Sequence, residues 1–100
     1  MEIAIHSIHF EVSQKLEDFI QKKVNRLAKF NDGIVSADVI LKVVKPETAA
    51  NKDASIKLLA PGNDFFAQET ADTFEESIDK CVAKLERQVV KSKEKKISKK

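Results

Sequence analysis

The chain contains no tryptophan and no tyrosine, and among its 100 residues it has one cysteine, one methionine, two glycines and two prolines. Each scarcity excludes something. A lone cysteine, Cys81, cannot close an internal disulfide and suits a reducing compartment. Two glycines are too few for a glycine-rich phosphate cradle, and no serine or cysteine nucleophile stands in a recognisable motif with a base. No apolar run approaches the ~20 residues that cross a bilayer, and no hydrophobic targeting segment follows Met1. The expectations are a cytoplasmic protein that is not an enzyme, with no cofactor, no metal, no membrane partner and no small-molecule substrate.

What is present is a soluble composition, 42% hydrophobic and 34% charged, on a length that supports one core. The net charge of +2 conceals an asymmetry. The last ten residues hold six lysines against Glu94, whereas the preceding ninety are net acidic by three charges. A basic terminus of this kind fits either a polyanionic partner or a solvated tail.

The hydrophobic spacing predicts the order βαβββα. Ile3 and Ile5 alternate within a first strand over 2–8. Ser13 caps a helix whose apolar residues Leu16, Phe19, Ile20, Val24, Leu27 and Phe30 repeat every 3.6 positions. Asn31-Asp32-Gly33 ends it, with the glycine expected to supply a conformation that other residues resist. Ile34 to Lys45 reads as a second strand, with Ala37, Val39, Leu41 and Val43 on one face and Asp38, Ile40, Lys42 and Val44 on the other. A polar loop over Pro46–Asn51 leads to a third strand carrying Ala54, Ile56 and Leu58, which the Pro61-Gly62-Asn63 turn stops. A short fourth strand over Asp64–Glu69 turns Phe65 and Ala67 inward. The second helix starts near Asp72, where Asp72 and Glu75 resemble a capping box. Its stripe is Phe74, Ile78, Cys81, Val82, Leu85 and Val89. The fold expected is α+β, a single four-stranded mixed sheet with both helices on one face, over residues 1–92, followed by a flexible basic tail over 93–100.

Charge is segregated on both helices. At 100° per residue, Lys80, Lys84, Arg87 and Lys91 fall within ~60° of one another, with Glu75, Asp79 and Glu86 on the opposite flank. Lys15, Lys22, Arg26 and Lys29 share a flank of the first helix, while Lys23 falls inside the apolar arc and must reach out past the core edge. Cations near helix C-termini are common in any soluble protein. Here, however, the two flanks could meet in one positive groove suited to a phosphate backbone.

Several stretches together resemble one family. Lys84-Leu85-Glu86-Arg87-Gln88-Val89-Val90-Lys91-Ser92-Lys93-Glu94-Lys95, preceded by Phe74-Glu75-Glu76-Ser77-Ile78-Asp79, is similar to the C-terminal helix of the ribosome hibernation promoting factors, also called the ribosome-associated inhibitor A family. Glu11-Val12-Ser13-Gln14-Lys15-Leu16, Lys23-Val24-Asn25-Arg26-Leu27-Ala28-Lys29-Phe30 and Val39-Ile40-Leu41-Lys42-Val43 extend the resemblance over nearly the whole chain. The resemblance implies a protein that binds rRNA of the small ribosomal subunit in the mRNA and tRNA channel of idle ribosomes and silences translation. It places the basic contacts at Lys23, Arg26, Lys29, Lys84, Arg87, Lys91, Lys93 and Lys95; geometry adds Lys22 and Lys80. The long form of that family appends a dimerisation domain, which this sequence lacks, and the inhibitor-type short form has an acidic tail where this one is basic. The chain therefore resembles the short promoting form.

Two other functions compete. A free double-stranded-RNA module also sets two helices on one face of a small sheet. A protein-interaction domain could use the outer sheet face, where Ile40, Val44, Leu59 and Phe66 would form an apolar patch. Phe66 could instead stack a base, but with no second aromatic beside it partial burial is the simpler expectation. His6 and His9, three apart on an extended strand, face opposite sides and do not make a metal site. Cys81 lies in the apolar stripe and reads as a core residue.

Overall fold

The computed structural model describes residues 1–8, 10–31, 33–45 and 50–98, with side chains as far as Ser92. His9, Asp32, and Pro46 to Ala49 of the polar loop lie outside the described residues, as does the last pair of lysines.

The order is β1 (Glu2–Ser7), α1 (Gln14–Asn25), a 3-10 turn (Arg26–Lys29), β2 (Ser36–Val43), β3 (Lys52–Ala60), β4 (Asn63–Ala71) and α2 (Phe74–Ser98). The four strands form one sheet in the spatial order β1-β2-β3-β4. β1 pairs parallel with β2, so α1 is the crossover between them; β2 with β3, and β3 with β4, are antiparallel. β1, β2 and β4 thus point the same way, and the helices that leave β1 and β4 both run back along one face of the sheet. α2 packs chiefly on β3 and β4, with α1 beside it. This is the mixed α+β arrangement that the hydrophobic spacing implies.

The core lies between the sheet and the helices. Ala37, Val39 and Leu41 of β2, Ala54, Ile56 and Leu58 of β3, and Phe65 and Ala67 of β4 face Leu16, Ile20, Val24 and Leu27 from the first helical segment. Ile78, Cys81, Val82, Leu85 and Val89 of α2 complete it. Along β2 the alternation fails at one residue. Val43 has the parity of Leu41 yet is 38% exposed, because β2 ends there.

Local chemistry sets the boundaries, and it departs from expectation in several places. Ser13 caps α1 as its sequence suggests, accepting the Leu16 N–H at 3.1 Å. The helix does not continue regularly to Phe30; it tightens into the 3-10 turn over Arg26–Lys29, closed by Phe30 N–H on the Leu27 carbonyl. Gly33 is not the left-handed residue expected. The Asn31 side chain makes that turn by accepting the Gly33 N–H at 2.8 Å, and the positive φ, +76°, belongs to Gly62 in the β3–β4 turn. At the start of α2 the cap is Thr73, whose hydroxyl accepts the Glu76 N–H at 3.1 Å. Asp72 is occupied elsewhere, accepting the Ala50 N–H at 2.7 Å. β4 is longer than expected at both ends, and the helical backbone of α2 passes residue 92 and runs to Ser98.

Among the described residues no helix packs on the outer face of the sheet. Its residues form cross-strand rows, among them Ala4, Asp38, Lys57 and Phe66, and next to it His6, Ile40, Ser55 and Gln68. Phe66 is 55% exposed, which corrects the partial burial expected of it. Ile40 is exposed in the adjoining row, but Lys57, Ser55 and Gln68 separate the two. Leu59 is half-buried, and Val44 falls beyond the end of β2. The apolar patch expected on this face is therefore broken up by polar side chains. Asp53 on the same face is only 4% exposed and accepts hydrogen bonds from Gln68 and Thr70 at 3.1–3.2 Å.

Candidate nucleic-acid interface

All the cations expected to contact RNA stand on the helical layer. Lys22 and Lys23 occupy the last turn of α1, where the helix dipole favours positive charge. Lys22 is exposed. Lys23 behaves as its position in the apolar arc requires: its stem is half-buried, its Nζ lies 5.5 Å from the centre of the Phe19 ring, and it bridges to Asp79 Oδ1 at 3.2 Å. Arg26 and Lys29 stand at the two ends of the 3-10 turn, three residues apart and so eclipsed on one side of it, and both are exposed.

On α2, Lys80, Lys84, Arg87 and Lys91 are all exposed. Lys84 pairs with Glu69 of β4, and Lys80 lies 3.9 Å from Glu76 one turn back. Arg87 and Lys91 have no carboxylate partner among the described residues, nor have Lys22, Arg26 and Lys29. Lys93 and Lys95 lie on the helical backbone, with side chains outside those described.

The expected single groove between the two basic flanks is not formed. Lys84 reaches Glu69, and Gln88 Nε2 donates to the Phe66 carbonyl at 2.9 Å, so the basic side of α2 leans over β4. The flank of α2 turned toward α1 is the acidic one, since Asp79 is the residue that meets Lys23. Glu75 and Glu86 share that flank by helical spacing. Two parallel helices present their sides asymmetrically, so two similar charge patterns do not mirror each other across the groove.

Two shallow cavities flank the outer part of α2. One of about 440 Å³ is bordered by Glu86, Arg87, Val90 and Lys91. Another of about 340 Å³ lies where the β3–β4 hairpin meets the helix, lined by Asn63, Phe65, Gln88, Lys91 and Ser92, with Asn63 Nδ2 donating to Ser92 Oγ at 2.8 Å. Both are polar-edged and open, and Lys91 stands at the rim of each.

Nothing among the described residues assembles a reactive centre. Cys81 is fully buried, its thiol directed at the Ala54 carbonyl 3.3 Å away. Removal from water, reinforced by the Glu69 carboxylate, pushes its pKa from 9.0 up to about 12. Among the described residues no group of three histidine, cysteine or acidic side chains could hold a metal ion.

The sequence did not reveal the carboxylates that engage the basic residues. Lys23–Asp79 and Lys84–Glu69 join residues far apart in the chain, and no periodicity rule links them. The Thr73-x-x-Glu76 cap, by contrast, is visible as a pattern one residue beyond Asp72-x-x-Glu75.

Known proteins share the sequence pattern and the fold. The family described as Sigma 54 modulation protein / S30EA ribosomal protein matches residues 3–97. The ribosome hibernation promoting factor of Pseudomonas putida is 33% identical over 95 residues, spanning 95% of this chain and 89% of that protein. The factor of the same name from Azotobacter vinelandii is 30% identical over 97 residues, or 97% of this chain and 87% of its own length. Among solved structures, a ribosomal subunit interface protein from Coxiella burnetii superimposes with a TM-score of 0.83 at 26% identity, covering 93% of this chain and 98% of that one. The N-terminal domain of Thermus thermophilus Protein Y gives 0.78 at 28% identity, covering 91% and 98%. The chain belongs to the Sigma 54 modulation protein / S30EA ribosomal protein family, whose relatives include the ribosome hibernation promoting factors.

Proposed function

We propose that this protein is a hibernation factor that binds rRNA of the small ribosomal subunit, occupies the channel used by mRNA and tRNA in idle ribosomes, and so silences translation. The observation that carries this reading is the set of cations on the helical layer with no carboxylate partner among the described residues: Lys22, Arg26 and Lys29 beside α1, and Arg87 and Lys91 on α2. Exposed cations in that state are able to replace the counterions on phosphates, which is the sequence-independent source of affinity for RNA. Lys23, Lys80 and Lys84 join the same surface but must exchange an existing carboxylate for a phosphate. Lys93 and Lys95 continue the basic character of α2 by sequence. The mixed charge of the outer sheet face, where Asp38, Lys57 and Asp64 alternate with apolar residues, gives RNA no comparable surface. No helix among the described residues is long and apolar enough to cross a membrane. The reading places the protein with cytoplasmic ribosomes.

Co-sedimentation with ribosomes through sucrose across a salt series tests the assignment. Replacing Arg87 and Lys91 by glutamate should leave the fold intact, since both are exposed. Affinity should fall at least about tenfold at moderate salt, and the slope of log affinity against log salt should become shallower by about 2, one unit for each phosphate no longer neutralised. Undiminished co-sedimentation of that variant refutes the role given to this flank. Binding to free duplex RNA with no association with ribosomes favours the double-stranded-RNA module instead.

A further inference from the structure

The two basic tracts are divided. On α1 and its 3-10 turn, Lys22, Arg26 and Lys29 form one; on the far shoulder of α2, Arg87 and Lys91 with Lys80 and Lys84 form the other. Between them lies the side of α2 that carries Glu75, Asp79 and Glu86, fixed toward α1 by the Lys23–Asp79 pair. The outer tract is held away from the groove at two points, by Lys84 on Glu69 and by Gln88 on the Phe66 carbonyl.

A phosphate backbone laid along the groove would meet carboxylates on one wall. Like charges facing each other across a partly desolvated contact are strongly unfavourable, which makes them a means of rejecting wrong partners. A backbone laid on either shoulder meets a surface dominated by cations. We infer that the protein engages two separate phosphate ridges, one on each tract, and that the acidic side of α2 rejects any RNA offering a single continuous backbone along the groove. The partner that fits is folded RNA in which two backbones converge with a gap between them, rather than an isolated duplex. This inference rests on the RNA-binding reading above and adds to it the geometry of the RNA and the residues that select it.

The experiment compares two variants of equal charge. Glu75→Gln/Asp79→Asn/Glu86→Gln neutralises the dividing side of α2. Glu2→Gln/Asp38→Asn/Asp64→Asn neutralises three acids of the sheet, away from the helical layer. Each is titrated with a short RNA duplex of arbitrary sequence and with intact ribosomes, with circular dichroism confirming the fold. The first variant should bind the duplex about tenfold more tightly than the original protein, and the second should change less than about threefold. Equal gains by both variants would mean that only net charge matters and would overturn the inference, as would no gain by the first. Ribosome binding by the unaltered protein is the separate arm: its absence would remove the functional reading itself, whatever the duplex titrations show.

Discussion

At the residue scale, Cys81 shows how a chemically capable group is rendered inert. Its place in the apolar stripe of α2 marks it as a core residue, and the structure buries it completely, with the thiol against a backbone carbonyl. The sign of its linkage follows from the raised pKa. The unfolded chain loses the thiol proton near pH 9.0, whereas the native protein holds it until about 12. The unfolded state is therefore favoured increasingly across that window, and the contribution to stability is complete only below it. Chemical denaturation should show stability falling above pH 9, with a shallower fall in Cys81→Ala. The native thiol should react with a thiol reagent only at the rate at which the protein opens, and rapid stoichiometric labelling under native conditions would contradict this. Asp53 was not legible in the same way. Strand parity puts it on the uncovered face, yet Gln68 and Thr70 enclose it, a cross-strand arrangement that needs the β3–β4 register to be known.

At the scale of elements, most of the architecture could be read from the chain because apolar periodicity and core burial coincide. The stripe of α1 and the alternation of β3 follow the buried residues closely. What escaped were endings, because these are decided by competition among neighbouring polar groups. Asp72 and Thr73 are both good cap residues, and the role went to Thr73 because Asp72 is engaged by the Ala50 N–H across the sheet end. Thr73→Ala should therefore cost about 1 kcal/mol in a denaturation experiment through the loss of the cap. Helicity lost from the first turn of α2 should be visible by hydrogen exchange at Glu76. An unaltered exchange rate there would return the capping role to Asp72. The charged flanks were legible as flanks, but not as surfaces of the molecule. A helical wheel gives the angle between Lys84 and Asp79, and only packing decides which of them faces α1.

For the whole molecule, the side chains that tie α2 to β4 have a consequence for how copies of the protein meet. β4 is an edge of the sheet, and an edge strand of nine residues is a template on which another chain can add by main-chain hydrogen bonding. Gln88 occupies the Phe66 carbonyl, and the Lys84–Glu69 pair stands over the same edge. The helix that carries the cations proposed to meet RNA thus also covers an open border of the sheet. Gln88→Ala, combined with Lys84→Ala, should leave the isolated fold in place while light scattering shows concentration-dependent self-association. If that variant stays monodisperse at every concentration, the edge is protected by something other than these two side chains. Self-association on loss of Gln88 and Lys84 would trace freedom from edge-to-edge pairing and the proposed affinity for a polyanion to one and the same shoulder of α2.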